Sequence, residues 1–301
     1  MNIIDSVPPL FFALGATLCF SYSSTIFTEF SRSINPQWMN AFKAIVALIL
    51  FSFTVIFFNL WTPPTLLSLN VLLVSGLLGL MIGDMYMLKA MKELGASRML
   101  MIFGLQPFFL GLAGSYFFGQ NFSTYNLIGV LFMLGCLYTI SFENYKKSGS
   151  WQLIGLTHGL LAVLLDGIGI ILTRQGFEST TGITPIQVNL IRCFGACLGF
   201  LVYHFSVQKI PIINTFKNLP KGKKLKLLIG SAGGTYLSLM LYLTAVSKGQ
   251  LSVISSVTVT GPMFAQVFEC IQQRKLPNKL VFLSFIFFAA GFWVFAFKTK
   301  S

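Results

Sequence analysis

The chain has 301 residues, 55% of them hydrophobic and only 10% charged, with a mean hydropathy of +0.78 and a net charge of +13. No water-soluble fold of that length covers its surface with so few charges, so the bilayer is its solvent and a polytopic membrane protein is expected. The basic excess does not point to nucleic acid, because it sits at the ends of apolar runs with no soluble basic domain beside it.

Apolar runs of about 20 residues, the length that crosses a hydrocarbon core of about 30 Å, recur along the chain. They predict ten helices, at 10–30, 36–60, 66–91, 97–118, 124–142, 150–177, 184–206, 224–247, 251–271 and 278–297. The separators carry loop punctuation: Asn35-Pro36, Thr62-Pro63-Pro64, Gly119-Gln120-Asn121, Ser148-Gly149-Ser150, Gly182 to Pro185 and Pro220 to Lys224. Residues 1–9 have no basic stretch and the first run has no small-x-small cleavage pattern, so it is expected to remain as the first helix.

The sequence repeats itself. Pro36 and Lys43 return as Pro185 and Arg192, a shift of 149 residues. Leu88, Ala90, Ser97 and Pro107 return as Leu243, Ala245, Ser252 and Pro262, a shift of 155 residues shared by Gly79 and Gly234. Units of that length are duplicated half-proteins rather than solenoid repeats, and the division falls at 1–149 and 150–301. Five helices per half is an odd number, so the second half enters the membrane upside down. The fold class read from sequence is an all-α integral membrane protein, ten transmembrane helices in two inverted-topology five-helix repeats.

Basic residues orient it. Connections after odd-numbered helices hold Arg32; Lys89, Lys92 and Arg98; Lys146 and Lys147; Lys209, Lys217, Lys221, Lys223, Lys224 and Lys226; Arg274, Lys275 and Lys279. The other side holds only Arg174, Lys248, Lys298 and Lys300. By the positive-inside rule the first group is cytoplasmic and both termini lie outside. The setting is a cell (inner) membrane, crossed many times.

Four ionisable residues fall inside spans: Lys43, Asp84, Asp166 and Arg192. Each costs about 2.5–3.5 kcal/mol at a helix centre, so such groups turn to the protein interior and find partners. At about 1.5 Å per residue, Lys43 and Asp84 both lie roughly 10 Å from the cytoplasmic face and are expected to form a structural ion pair. Asp166 and Arg192 lie about 16 and 12 Å from the outer face and can form a second pair. Their nearness to the midplane suits substrate: Asp166 for a cationic group or a coupling proton, Arg192 for a carboxylate or phosphate.

Pro107 and Pro262 interrupt the fourth and ninth spans at repeat-related places, each after a residue suited to a cavity, Gln106 or Gly261, with Gln106 a candidate substrate contact. Each frees the carbonyl four residues earlier, Phe103 or Thr258, and reads as a hinge. Hydroxyls crowd the first, eighth and ninth spans, so these are expected to line a cavity, with Tyr22, Tyr236 and Thr258 as candidate contacts. The tenth span has few, and faces lipid or a second copy of the chain. Glycine pairs at 79/83, 155/159, 195/199 and 230/234 suit close helix crossings. Cys19, Cys136, Cys193, Cys197 and Cys270 are scattered and read as packing residues, with no metal or cofactor expected. His158 reads as a packed, hydrogen-bonded residue, and Trp38, Trp61, Trp151 and Trp293 as interfacial anchors.

Taken together, the Pro36–Lys43 and Pro185–Arg192 echo, the run Ile82-Gly83-Asp84 through Ala90 to Gly95-Ala96, and the prolines of the fourth and ninth spans resemble the EamA-type transporters of the drug/metabolite transporter superfamily. The resemblance implies a ten-helix carrier working by alternating access around a central cavity, often exporting amino acids or other small metabolites. Gly119-Gln120 stands where that family usually has Gly-Glu, the matching place in the second half reads Gln273-Arg274, and the first span lacks the usual Trp. An intramembrane enzyme would need a nucleophile and base or a metal cluster, which two histidines do not provide. A channel would need a continuous polar filter. A lipid-linked-intermediate flippase, or a nucleotide or cofactor importer of the same fold, is the alternative, since Arg192 would equally hold a phosphate.

Overall fold

The computed structural model describes residues 7–31, 34–94, 96–146, 153–274, 276–277 and 279–298. Arg32, Lys147, Trp151, Lys275 and Lys300 lie outside the described residues, as does the boundary at 149 and 150 and the side chains of Arg98 and Lys146. Among the described residues the chain is helical throughout, without strands.

The long helices follow the apolar runs. They are α1 (Pro9–Ser31), α2 (Pro36–Phe57), α3 (Leu66–Leu94), α4 in two pieces (Ala96–Phe103 and Gln106–Phe118), α5 (Thr124–Lys146), α6 (Leu153–Glu178), α7 (Pro185–Ser206), α8 (Lys221–Lys248), α9 in two pieces (Leu251–Thr258 and Gly261–Gln273) and α10 (Lys279–Phe297). Nine are long and apolar enough to cross a membrane, and α5 carries a shorter apolar stretch, Thr124–Thr139. A short helix that the hydropathy did not predict, Ile212–Asn218, lies in the α7–α8 connection.

Local chemistry sets the boundaries. Helices α2 and α7 each begin with proline, which needs no intrahelical donor there, behind a capping side chain. Asn35 accepts from the amide of Gln37, and Thr184 from that of Gln187. Pro107 and Pro262 do more than kink their spans. Each stands in the first turn of a new helix, after tight turns at Gly104–Leu105 and Val259–Thr260. The missing N–H thereby falls where a helix start has no use for it. Sequence placed a hinge inside a continuous helix; the structure has two helices and a joint.

Helices α3 and α8 share a second interruption, π-helical turns over Gly76–Gly83 and Ala232–Leu237. Such turns widen the backbone and leave a carbonyl without its usual partner. A repeated asparagine attends each. Asn40 of α2 donates to the carbonyl of Leu80 within the first, and Asn189 of α7 to that of Leu239, two residues past the end of the second.

Packing is paired in the same way. Helix α3 lies on α6 as α8 lies on α1; α2 meets α7, α4 meets α9, and α5 meets α10. Cross-links at the helix ends also reciprocate. Trp38, at the start of α2, donates to the carbonyl of Pro211 beyond α7, and Gln187, at the start of α7, bonds the backbone of Thr62 beyond α2. Trp38 is therefore buried, stacked on Phe42, not an interfacial anchor; Trp61 and Trp293 are about half exposed.

Many of the hydroxyls expected to line a cavity instead bond backbone. Ser21 donates to the carbonyls of Thr17 and Gly261, tying α1 to the joint of α9, and Ser238 donates to Ala16, tying α8 to α1. Ser255 and Ser256 serve carbonyls within their own helix. A hydroxyl in a helix reaches the preceding turn without leaving its own segment, so its presence alone does not mark a wet face.

Candidate functional site

The interior charges come from α2, α3, α6 and α7. Lys43 Nζ lies 4.0 Å from Asp84 Oδ2, and also sits over the ring of Phe27 at 5.2 Å. Both members keep some exposure, 18% and 27% of their side chains. Asp84 is the first residue after the π turns of α3, and its field reaches Asp166 and Arg192.

Asp166 and Arg192 do not close on each other within salt-bridge distance. Gln106, at the joint of α4, donates through Nε2 to Asp166 Oδ2 at 2.5 Å. Arg192 donates through Nε to Ser75 Oγ at 2.9 Å, and that hydroxyl sits 2.6 Å from the Gly169 carbonyl and 2.7 Å from Thr173 Oγ1. The guanidinium is buried, 2% exposed, yet its Nη1 has no hydrogen-bond partner. Both charges instead approach Gly79. A Cβ built on Gly79 would lie 3.6 Å from Arg192 Nη2 and 3.7 Å from Asp166 Oδ1. A carboxylate oxygen and a guanidinium nitrogen therefore share one small space without bonding. Tyr242 of α8 interacts electrostatically with both.

Backbone contact makes this geometry firm. At Gly76 a Cβ would stand 1.8 Å from the carbonyl oxygen of Arg192, so α3 and α7 touch main chain to main chain one turn from the guanidinium. A Cβ on Gly195 would stand 2.3 Å from the carbonyl oxygen of Leu73, and Gly169 faces Gly79 across α3 and α6. Close crossings fix the roots of both charged side chains, and buried charge in a fixed frame is held at little reorganisation cost.

The other sequence candidates lie elsewhere. The Tyr236 hydroxyl bonds Thr54 of α2 at 2.8 Å, with its ring against Phe51. Tyr22 is 44% exposed and packs edge-on to Phe268, and Thr258 donates to the carbonyl of Ser255. His158 pairs with Glu93 at 2.8 Å rather than turning toward Asp166. Ser75 and Gly79 were not singled out as site members, though Gly79 was visible in the repeat. Nor was the recurring Asn40 and Asn189, three residues before Lys43 and Arg192, whose shared 149-residue shift was the available signal.

On one side of the molecule the helix ends are tied together. Arg174 of α6 donates through Nη1 to the carbonyls of Val246 and Ser247 at the end of α8, Gln120 Oε1 accepts from the amide of Leu251, and Asn126 donates to Gln250. The Gln120 and Asn126 bonds join the α4–α5 connection and the start of α5 to the α8–α9 connection, and Arg174 adds α6. Grooves of about 440 and 630 Å³ run between α3 and α7 and between α2 and α7; they are mostly apolar and include none of the four charges.

Interior charges on apolar helices, gathered where α2, α3, α6 and α7 come together, are what a membrane-embedded binding site needs. Residues 7–142 match the model of the EamA-like transporter family. The EamA-like region supplies Lys43, Asp84, Ser75, Gly79 and Gln106; Asp166 and Arg192 come from beyond it. A crystal structure titled only as that of a protein, 12% identical, covers 95% of this chain and 95% of its own at a TM-score of 0.77, a likeness of fold alone. No curated protein matches the sequence.

Proposed function

We propose that this chain is a secondary active transporter that moves small metabolites carrying both charges, amino acids or related compounds, outward across the cell (inner) membrane. The observation that carries the reading is the open charge pair: Arg192, buried with Nη1 unpartnered, beside an Asp166 that bonds Gln106 instead. A buried cation normally finds a full set of partners, and an unfilled one in a transporter family is a place for a ligand's anion. A substrate carboxylate on Arg192 and ammonium on Asp166 complete both. Reciprocal packing of α3 on α6 and α8 on α1, with matching π turns, supports two inverted repeats sharing that site. The joints at Pro107 and Pro262 are the hinges of alternating access, and the Arg174, Gln120 and Asn126 bonds are its closed outer end.

The test is exchange in proteoliposomes holding the purified full chain. Liposomes loaded with each unlabelled α-amino acid should accumulate its radiolabelled form well above protein-free controls for at least one member of the panel. Lipid headgroup scrambling without any solute exchange would replace this reading with the flippase.

Orientation has its own test. An enzyme reporter that works only in the cytoplasm, fused after Ser301, should stay silent, while one inserted at Gly222 should be active. The opposite pattern would turn the protein over.

A further inference from the structure

Most glycines buried in the described helices sit where a Cβ would press on a neighbour, and Gly79 does not. Gly234, the repeat partner of Gly79, has no room: a Cβ there would stand 2.4 Å from Ser23 Cβ of α1. Gly76, Gly195, Gly199, Gly155 and Gly159 are as tightly held, each with a neighbour at 2.7 Å or less. Gly79 stands among them on α3, yet a Cβ there would meet nothing closer than 3.6 Å, an ordinary contact. Its backbone is not in the left-handed region either. Neither packing nor conformation accounts for the missing side chain, and glycine inside a helix costs about 0.5–1 kcal/mol relative to alanine. What a side chain would fill is the space shared by Asp166 Oδ1 and Arg192 Nη2.

We propose that Gly79 is the floor of the binding gap, bare so that one small zwitterion reaches Asp166 and Arg192 at once, and that it limits the substrate to compounds whose amine and carboxylate lie on the same or adjacent carbons. The inference rests on the transport reading above. Its geometric basis is that both charged atoms lie within 3.7 Å of a single carbon position, and an α-amino acid presents its two charges from one carbon. A long ω-amino acid, with its charges several carbons apart, must fold back on itself to serve both. The neutral supports are already assigned: Ser75 orients the guanidinium through Nε and Gln106 takes Oδ2 of Asp166, so neither bond uses Asp166 Oδ1 or Arg192 Nη2.

The experiment uses the α-amino acid that exchanges fastest in wild-type proteoliposomes, with Gly79→Ala and Gly234→Ala made in the full chain. Gly79→Ala should keep the wild-type unfolding midpoint and lose exchange by at least about tenfold, since one methyl group in a fitted pocket discriminates on that scale. Gly234→Ala should lower the midpoint. Unlabelled alanine should compete with the labelled substrate, whereas 6-aminohexanoate should not. Exchange by Gly79→Ala at the wild-type rate overturns the proposal while leaving the transport reading intact, as does effective competition by 6-aminohexanoate. A fallen midpoint in Gly79→Ala makes it one more packing glycine and overturns the proposal equally. Failure of the wild-type protein to exchange any α-amino acid removes the transport reading itself.

Discussion

Arg192→Gln should reduce exchange by about a hundredfold or more, the scale set by removing one side of a buried charged contact, while the purified protein melts as the wild type does. Both halves of that expectation come from the environment of one side chain. The guanidinium is 2% exposed, bonds Ser75 through Nε and leaves Nη1 without a partner, so the empty protein bears a desolvated charge that is incompletely repaid. Removing such a charge relieves a penalty as well as losing a bond, and Asp166 is not orphaned because Gln106 still donates to it. Function loses its anion contact; the fold loses little. A site kept less stable than it might be is the usual mark of binding geometry. Asp166→Asn tests the other pole in the same assay, with Gln106 retained as its neighbour. If Arg192→Gln exchanges normally, or if it loses fold and flux together, Arg192 is a structural cation of the second half.

The long helices were legible because apolar run length measures the membrane directly. The joints at Pro107 and Pro262 were legible as places, since proline cannot continue a hydrogen-bonded turn. Their form was not, because whether a span bends or restarts depends on the bonds that Gly104 and Thr260 find in three dimensions. The π turns of α3 and α8 left only a faint trace, the glycines at 76, 79 and 83 and at 233 and 234. Hydropathy is unchanged by one extra residue in a turn, so nothing in the apolar pattern reports it.

The charged site shows the same division more sharply. Depth counting fixes a residue's height along its helix, and it put Lys43 level with Asp84, which lie 4.0 Å apart. It does not fix the direction in which the side chain points, which turns by about 100° at every residue. Asp166 and Arg192 therefore both come to Gly79 without closing on each other, and each takes a neutral partner, Gln106 or Ser75, that counting charges does not reveal. The hydroxyls of α1, α8 and α9 that bond backbone carbonyls carry a related ambiguity. A serine satisfied by its own helix looks the same in sequence as one that faces water.

Lys43→Met and Asp84→Asn should each destabilise the protein, and the double variant should recover most of the loss. The pair lies at 4.0 Å with 18% and 27% of its side chains exposed, so its rupture belongs below the range for fully buried bridges, at about 1–3 kcal/mol. The two losses should not be equal. Asp84 is within the field of Asp166 as well as of Arg192, so the four groups Lys43, Asp84, Asp166 and Arg192 balance in charge as a set. Lys43→Met takes from Asp84 the cation 4.0 Å away, whereas Arg192→Gln takes no ion-pair partner from Asp166, which keeps its Gln106 bond. Asp84→Asn leaves two cations around Asp166, but it keeps an amide able to bond at the same position and removes the carboxylate repulsion. Lys43→Met should therefore lower the unfolding midpoint further, and Lys43→Met with Asp84→Asn should return it toward wild type because the set is neutral again. Thermal unfolding in detergent measures this, read beside exchange in proteoliposomes at a temperature where every variant is folded. A structural pair requires that the double variant still exchange substrate at a rate close to wild type. Additive losses of stability would argue against contact between the two, and recovery of the midpoint without recovery of exchange would move Lys43 and Asp84 from the frame of the site into the site itself.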